Sequence, residues 1–435
     1  MMPIAPFSID TRTIQPGDIF VALDGTHQKG HTFLSEAFQK GAVLALCAEH
    51  YRGEVAEVLH SKIRFVEDPA LAMANWASEH RSQFNKPVIG VVGSVGKTST
   101  KQFLAYLLSQ KKKILATTGN LNNQLGLPLM ISRLKPEHDL AILEMGADHA
   151  GDLANLVRIA EPTAAVLAPI APEHLLGFGS LSGVYDGELE ILLSPRLKTL
   201  VTVEGDAELD RRLKNWKGRV VRVGFSEKAD VVISDVRIAD GKTFFKIHEQ
   251  SVILPTAASF LALNAGLAAA MAVEAGLSWN DIRGEWAPEM PKGRFAVRKL
   301  SQDITVIDDT YNSSPKAFSA AIETLTQMKF NRKWIIFSDM LELGSESAYW
   351  HEKLAENILN SDIASAWGFG PETRYTIDKI SGKNSAALNG RWFESAEKLA
   401  EELARHVQPG DALLFKGSRG MRVEKVLEIL EDRLV

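Results

Sequence analysis

At 435 residues the chain is longer than one hydrophobic core normally serves, so two or three domains are expected. Its 45% hydrophobic and 24% charged residues are those of an ordinary globular protein and exclude a disordered chain or a fibre. The net charge of -5 is mild, and with Lys111 to Lys113 as the only compact basic run, which reads as a solvated helix end, no nucleic-acid partner is expected.

From the start, Met1 to Asp10 shows no basic stretch leading into a long apolar one, so a secretory signal is not expected. Every later apolar run is broken well short of the roughly 20 residues a membrane helix needs, so no membrane partner is expected either. The segment from Ser8 to Leu23 shows a turn at Pro16-Gly17 between strands. Cys47, the single cysteine, lies in the apolar run Ala42 to Ala48 and reads as inert core. A lone cysteine excludes an internal disulfide and a cysteine-based metal cluster, which fits a reducing compartment and a cytoplasmic location.

After Arg81 the sequence passes through Ser-Gln-Phe-Asn-Lys-Pro into the buried-strand pattern Val88 to Val92, which puts a first boundary near residue 82. That strand runs into Gly93-Ser94-Val95-Gly96-Lys97-Thr98-Ser99, and a helix is expected from Thr100 to about Gln110. Strand, glycine loop and helix come in the order phosphate binding requires. The glycines let backbone N–H groups turn toward an anion, and the helix N-terminus adds partial positive charge. Lys97 is positioned for the terminal phosphates of ATP, and the Thr98 hydroxyl for Mg²⁺. A full Walker loop would have its first glycine at position 91, where this chain has Val91, so the match is to the shorter Gly-x-x-Gly-Lys-Thr form.

Next, Gly119 to Pro128 is too rich in amides and glycine for a core element and reads as a functional loop. Leu140 to Ala147 places Glu144 at the C-terminal end of a buried strand, where ligand sites of open α/β sheets gather. A carboxylate there suits hard Mg²⁺, which needs few protein ligands. Strands over Leu140 to Leu143, Ala164 to Leu167 and Leu200 to Val203 alternate with helical stretches, implying a mostly parallel sheet covered by helices. After Gly293-Arg294 the pattern restarts with strands Ile304 to Ile307, Trp334 to Phe337 and Ala412 to Phe415 and a helix over Lys316 to Met328, a second doubly wound unit. Gly417-Ser418-Arg419-Gly420, opening a helix, reads as a carboxylate or phosphate site in which Arg419 and free N–H groups act together. There is no short repeat or low-complexity tract.

The shortened phosphate loop resembles that of Mur ligases and folylpolyglutamate synthetases, and further segments extend the resemblance to Mur ligases over nearly the whole chain. They are Ser8 to Arg12 with Gln15 to Leu23 and Gly30-His31, Gly119 to Pro128, Glu173 to Ser180, Pro291 to Arg294, Asp308 to Pro315, Asp339 to Gly344 and Lys416 to Lys425. The resemblance implies an α/β fold of three domains: a UDP-precursor-binding domain over 1–82, short at its N-terminus, a P-loop ATPase-like parallel-sheet domain over 83–295, and a Rossmann-like domain over 296–435. It implies an ADP-forming ligase, acting as a monomer, that joins D-alanyl-D-alanine to a UDP-muramoyl-tripeptide through an acyl phosphate, in peptidoglycan precursor synthesis. In that scheme Asp10, Thr11 and Arg12 meet the UDP-sugar, and Asn122 and Asn123 hold the muramoyl-peptide. His174 helps hold a second Mg²⁺, Arg294 touches the nucleotide phosphates, Asp309 reaches the ribose, and Tyr311 and Asn312 the neighbouring nucleotide. Lys416, Ser418 and Arg419 serve the incoming dipeptide.

Three positions depart from the family pattern. Glu188 stands where the family has a carbamylated lysine, and the expectation is that it supplies the negative charge for the second Mg²⁺ directly. Phe260 and Leu261 replace a His-Asn pair, so adenine recognition by that asparagine is absent or replaced, and Pro169 stands where an asparagine is usual. These changes keep two alternatives open: another amide ligase of the superfamily, and a weakened Mur-like binding protein. A P-loop kinase is a third option, although nothing after Thr98 resembles a kinase lid.

Overall fold

The computed structural model describes residues 5–382 and 388–434, arranged around three sheets. In the first, Phe7–Ser8, Ile19–Val21, Leu44–Ala48 and Ile63–Val66 pair in chain order, all parallel. Cys47 is fully buried in it, as expected of a core thiol.

The chain leaves this sheet along the helix Pro69–Ser82, capped at its start by the Asp68 carboxylate. The far end of that helix is tied to the second unit. The buried Arg81 guanidinium donates to Ala160 O at 2.6 Å, Phe84 O at 2.8 Å and Glu161 O at 2.8 Å, and His80 Nε2 lies 2.7 Å from Leu134 O. Burial holds the Arg81 pKa down at about 10.

Ten strands form the central sheet. Its parallel part places Val88–Val92 between Leu140–Glu144 and Ala164–Leu167, with Ile114–Ala116 at one edge and Thr199–Val203 and Arg219–Gly224 on the other side. From Val88–Val92 the chain first moves to one side of the sheet and later returns to the other, so the crevice above that strand is a topological switch point. The sheet is mostly parallel, as expected, and carries one antiparallel stretch. Val231–Ala239, Lys242–Ile247 and Gln250–Leu254 form an antiparallel meander whose residues alternate between buried and exposed faces, as a sheet wetted on one side requires.

The helix Leu261–Glu274 packs against Lys97–Ser109 and buries nearly its whole circumference, which its run of alanines and leucines permits. The last sheet orders Ala296–Lys299, Thr305–Asp309, Asp411–Lys416, Arg332–Ser338, Ser365–Phe369 and Asn389–Phe393, parallel except at the first edge. Among the described residues no helix is long and apolar enough to cross a membrane.

Candidate active site

A cleft of about 660 Å³ lies between the carboxyl ends of the central and C-terminal sheets. On the central side it is built around the loop after Val88–Val92. Gly93 has φ +116°, and a Cβ there would stand 2.5 Å from Ala168 O, so the turn admits only glycine. Gly96, at φ +95°, would likewise push a Cβ to 2.5 Å from Asn264 Oδ1. Ser94 and Val95 donate their N–H groups to Pro169 O at 3.2 and 3.0 Å, so the position that departs from the family pattern supports the loop through its carbonyl.

The following helix begins at Lys97, three residues before the expected Thr100. Lys97, Thr98 and Ser99 are therefore its first turn, whose N–H groups have no partner within the helix and remain available to an anion. Lys97 Nζ donates to the carbonyls of Gly93 and Ser94. Burial works against its charge, but Glu173, Glu188 and Glu144 outweigh that and hold its pKa above the ordinary lysine value.

Glu144 ends its strand as expected. Its Oε1 accepts from Thr98 Oγ1 and from Asn122 Nδ2, both at 3.0 Å. Its Oε2 lies 3.6 Å from Lys101 Nζ and has no hydrogen-bond partner although buried. Lys101 is itself buried and donates to Thr117 O at 2.8 Å; desolvation lowers its pKa despite Glu144. Asn123 also lines the cleft, and its Oδ1 caps the next helix by accepting from Leu125 N and Gly126 N.

His174 sits at φ +51° just ahead of a short helix. Both ring nitrogens meet carboxylates: Nε2 is 3.1 Å from Glu173 and 3.4 Å from Asp148, and Nδ1 contacts Glu342 of the C-terminal unit. Against the desolvation that would lower it, Glu173 and then Asp148 raise the His174 pKa to about 9. Glu188 lies behind the loop rather than on the cleft wall. Its buried carboxylate accepts from Gly93 N at 2.7 Å, and desolvation raises its pKa to about 6.

Across the cleft, Arg294 stacks 4.1 Å from the Tyr311 ring centroid, and its buried Nε has no partner. Asp309 is bound at both oxygens, by Lys416 Nζ at 2.6 Å and Phe295 N at 3.1 Å; burial raises its pKa and Lys416 partly offsets that. Lys416 also donates to Asn312 O at 3.1 Å, so it braces the loop that carries Tyr311 and Asn312. Ser418 and Arg419 stand in an adjoining cavity of about 220 Å³ that shares Glu173, His174, Tyr311 and Asn312 with the main cleft. There the Ser418 hydroxyl accepts from Leu341 N at 2.9 Å, and Arg419 pairs with Glu424 at 3.1 Å.

Asp10, Thr11 and Arg12 are not part of either cavity. Arg12 is exposed and chelates Asp10, holding its carboxyl down at about 2, while Thr11 O accepts from Lys40 Nζ. Glu173 and Lys101 escaped the sequence reading. Glu173 directly precedes His174, and Lys101 follows Lys97 by one helical turn on its buried side, spacings that could have drawn attention to both.

Three family models match the chain: the Mur ligase family catalytic domain over 3–81, the Mur ligase middle domain over 91–272 and the Mur ligase glutamate ligase domain over 293–419. The UDP-N-acetylmuramoyl-tripeptide--D-alanyl-D-alanine ligase of Synechocystis is 30% identical over 432 residues, covering 97% of this chain and 90% of the relative. The ligase of that name from Escherichia coli is also 30% identical, over 97% of this chain and 93% of its own length. The crystal structure of MurF ligase from Thermotoga maritima in complex with ADP superposes with a TM-score of 0.83 at 31% identity, covering 99% of this chain and 98% of that one. MurF from Acinetobacter baumannii gives 0.85 at 27%, over 98% of this chain and 93% of its own. With all three domains matched in order and the match running end to end, the chain belongs to the Mur ligase family.

Proposed function

We propose that this chain joins D-alanyl-D-alanine to UDP-N-acetylmuramoyl-tripeptide, converting ATP to ADP and phosphate, as a step of peptidoglycan precursor synthesis. The observation that carries the reading is the phosphate loop, with Thr98 and Glu144 beside it, facing the loops of the C-terminal sheet across one cleft. The small-molecule substrates and the lone buried thiol suit the cytoplasm.

In this reading a carboxylate oxygen of the tripeptide attacks the γ-phosphorus, the bond to the β–γ bridging oxygen breaks, and ADP leaves behind an acyl phosphate. Lys97 and the first-turn N–H groups neutralise charge on the transferring group, and Arg294, with its unpartnered buried Nε, faces the same space. The uncharged amine of the dipeptide then attacks the acyl carbon. The tetrahedral intermediate collapses with loss of inorganic phosphate, and the amine's proton passes to solvent or to a nearby carboxylate. Ser418 and Arg419 hold the dipeptide carboxylate in the adjoining cavity, Asn122 and Asn123 the tripeptide, and Asp10, Thr11 and Arg12 the UDP end. Enclosure between two units keeps water from the acyl phosphate.

The residues present fit one Mg²⁺. Thr98 Oγ1 and Glu144 would hold it, since the Glu144 Oε2 is buried and unsatisfied, and it would screen the charge on the β- and γ-phosphates. They do not fit a second ion on His174 and Glu188, because carboxylates engage both His174 ring nitrogens and the Glu188 carboxylate is turned to Gly93 N. Among the described residues no group of three or more His, Cys, Asp or Glu is arranged to hold a metal.

Mass spectrometry of the mixture formed from the UDP-muramoyl-tripeptide, ATP and D-alanyl-D-alanine tests the proposal. The expected product is the pentapeptide precursor, with one ADP per amide and little ADP when either acceptor or dipeptide is omitted. Amide formation with a different amine alone would establish another ligase of the superfamily, and nucleotide binding without any product would establish a binding protein.

A further inference from the structure

The cleft continues beyond the phosphate loop, and what lines it there differs in kind. Asn264 abuts Gly96, and Phe260, the residue just before the same helix, lies four residues back, about 6 Å along its axis. Phe260 packs edge-on to Phe295, with centroids 5.3 Å apart, and Leu263 and the largely exposed Phe225 extend the apolar wall. Leu261, beside them, has no group that could hydrogen-bond a base. The opposite wall is the helix Pro315–Gln327 of the C-terminal unit. Its small Ala317 and Ala320 leave depth, and the Thr324 hydroxyl is occupied, 3.3 Å from Ser259 Oγ.

Glu323 and Gln327 remain, four residues apart and so on one side of that helix, both lining the cleft and both without a hydrogen bond or ion pair among the described residues. In this part of the cleft apolar area from the central unit thus meets two unpaired polar groups supplied by the C-terminal unit.

We infer that selection of the nucleobase resides in the C-terminal unit, where Glu323 and Gln327 are the specificity-determining residues and Phe260 is the surface on which the base packs. The inference rests on the reading of this cleft as a nucleotide site. A carboxylate only accepts hydrogen bonds, so Glu323 selects a base with an amino group at the edge it faces, as the 6-amino group of adenine provides. Gln327, both donor and acceptor, pairs with a neighbouring ring nitrogen. Guanine in the same pose sets its 6-oxo group against the Glu323 carboxylate, leaving two acceptors unpaired.

The experiment is calorimetric binding of ADP and GDP, with magnesium, to the full chain and two variants. It reads no ligase activity, so it stands apart from the proposed reaction. Phe260→Ala is expected to weaken ADP binding roughly ten- to hundredfold, the usual effect of removing an aromatic from a base. Glu323→Gln, on an exposed helix position where folding is not at stake, gains a donor and is expected to shrink the preference for ADP over GDP about tenfold or more. An unchanged ADP-to-GDP ratio in Glu323→Gln overturns the inference whatever Phe260→Ala does. A parent chain that binds ADP and prefers it, yet forms no amide, removes the ligase reading and leaves this inference standing.

Discussion

The two ends of the cleft are built on opposite principles. At the phosphate end, Lys97, Lys101 and Glu144 and the pair Asp309–Lys416 are buried or nearly so, and each charge is held by a named partner. At the base end, Phe225, Phe260 and Leu263 offer area and no direction. A buried charge stripped of its partner is costly, whereas apolar area can be trimmed with a graded loss. On the proposed function, the first end is expected to govern whether chemistry occurs, and the second how tightly and which nucleotide is held.

The contrast can be broken most directly at Lys97. Lys97→Ala is expected to lower ligase turnover by roughly two to three orders of magnitude or more, as removal of a charge-stabilising group does. Because Lys97 also faces the buried Glu144 and Glu188, the variant's thermal melt is expected to fall as well; comparable turnover in parent and variant would erase the distinction between the ends. Glu144→Gln comes next. Losing the charge that faces Lys101 and Thr98 should reduce turnover strongly and raise the magnesium concentration for half-maximal rate, which a metal titration measures.

Glu188 sharpens the comparison, because it belongs to the phosphate end without touching the cleft. Glu188→Ala leaves Gly93 N–H buried without its acceptor, at a cost of about 1–3 kcal/mol readable by denaturant melts. Glu188→Gln keeps an acceptor oxygen and should recover most of that stability; a melt as low as the alanine variant's would show that the charge, not the hydrogen bond, matters there. At the base end, Leu263→Ala should raise KM for ATP a fewfold with kcat nearly unchanged, the signature of lost uniform binding.

The smallest effect concerns His351, far from both. Its ring is buried and its Nε2 accepts from Met340 N at 3.1 Å, so burial lowers its pKa below the ordinary 6.5 and the neutral ring is the native form. The unfolded chain then binds a proton that the folded one does not. This contribution is complete above about pH 6.5 and declines as pH falls toward the depressed folded value, by at most ~1.4 kcal/mol per pH unit. Chemical denaturation of parent and His351→Gln across pH 5 to 8 should show the two curves separating on the acid side.

The phosphate end was legible in the sequence because its requirements are local. Strand, glycines, Lys97 and Thr98 lie within one stretch, and Glu144 announces itself at a strand end. Parallel strands such as Val88–Val92 and Ala164–Leu167 were equally plain from their continuous apolar runs. The antiparallel meander was passed over, because Lys242–Ile247 alternates in burial but not in polarity, with Thr243 turned inward and Phe244 and Phe245 adjacent. The pairing of His174 with Glu342 could not be read, since the two are 168 positions apart and meet only through the docking of two units. Nor could the direction of Glu188, which depends on the loop turning its Gly93 N–H backward. Composition likewise hid the base end, where Ala317, Ala320 and Thr324 look like any helix until another unit faces them.

The guanidinium of Arg81 has a mechanical consequence. From the end of the connecting helix it clasps Ala160 O and Glu161 O of the second unit and Phe84 O of the connecting segment, fastening the helix to the unit that follows it. The next crossing, between Glu285 and Ala296, contains no helix and includes Gly293 at φ +74°. Severing the clasp with Arg81→Ala would leave the first two units joined, at that helix end, by the chain itself and the His80 contact.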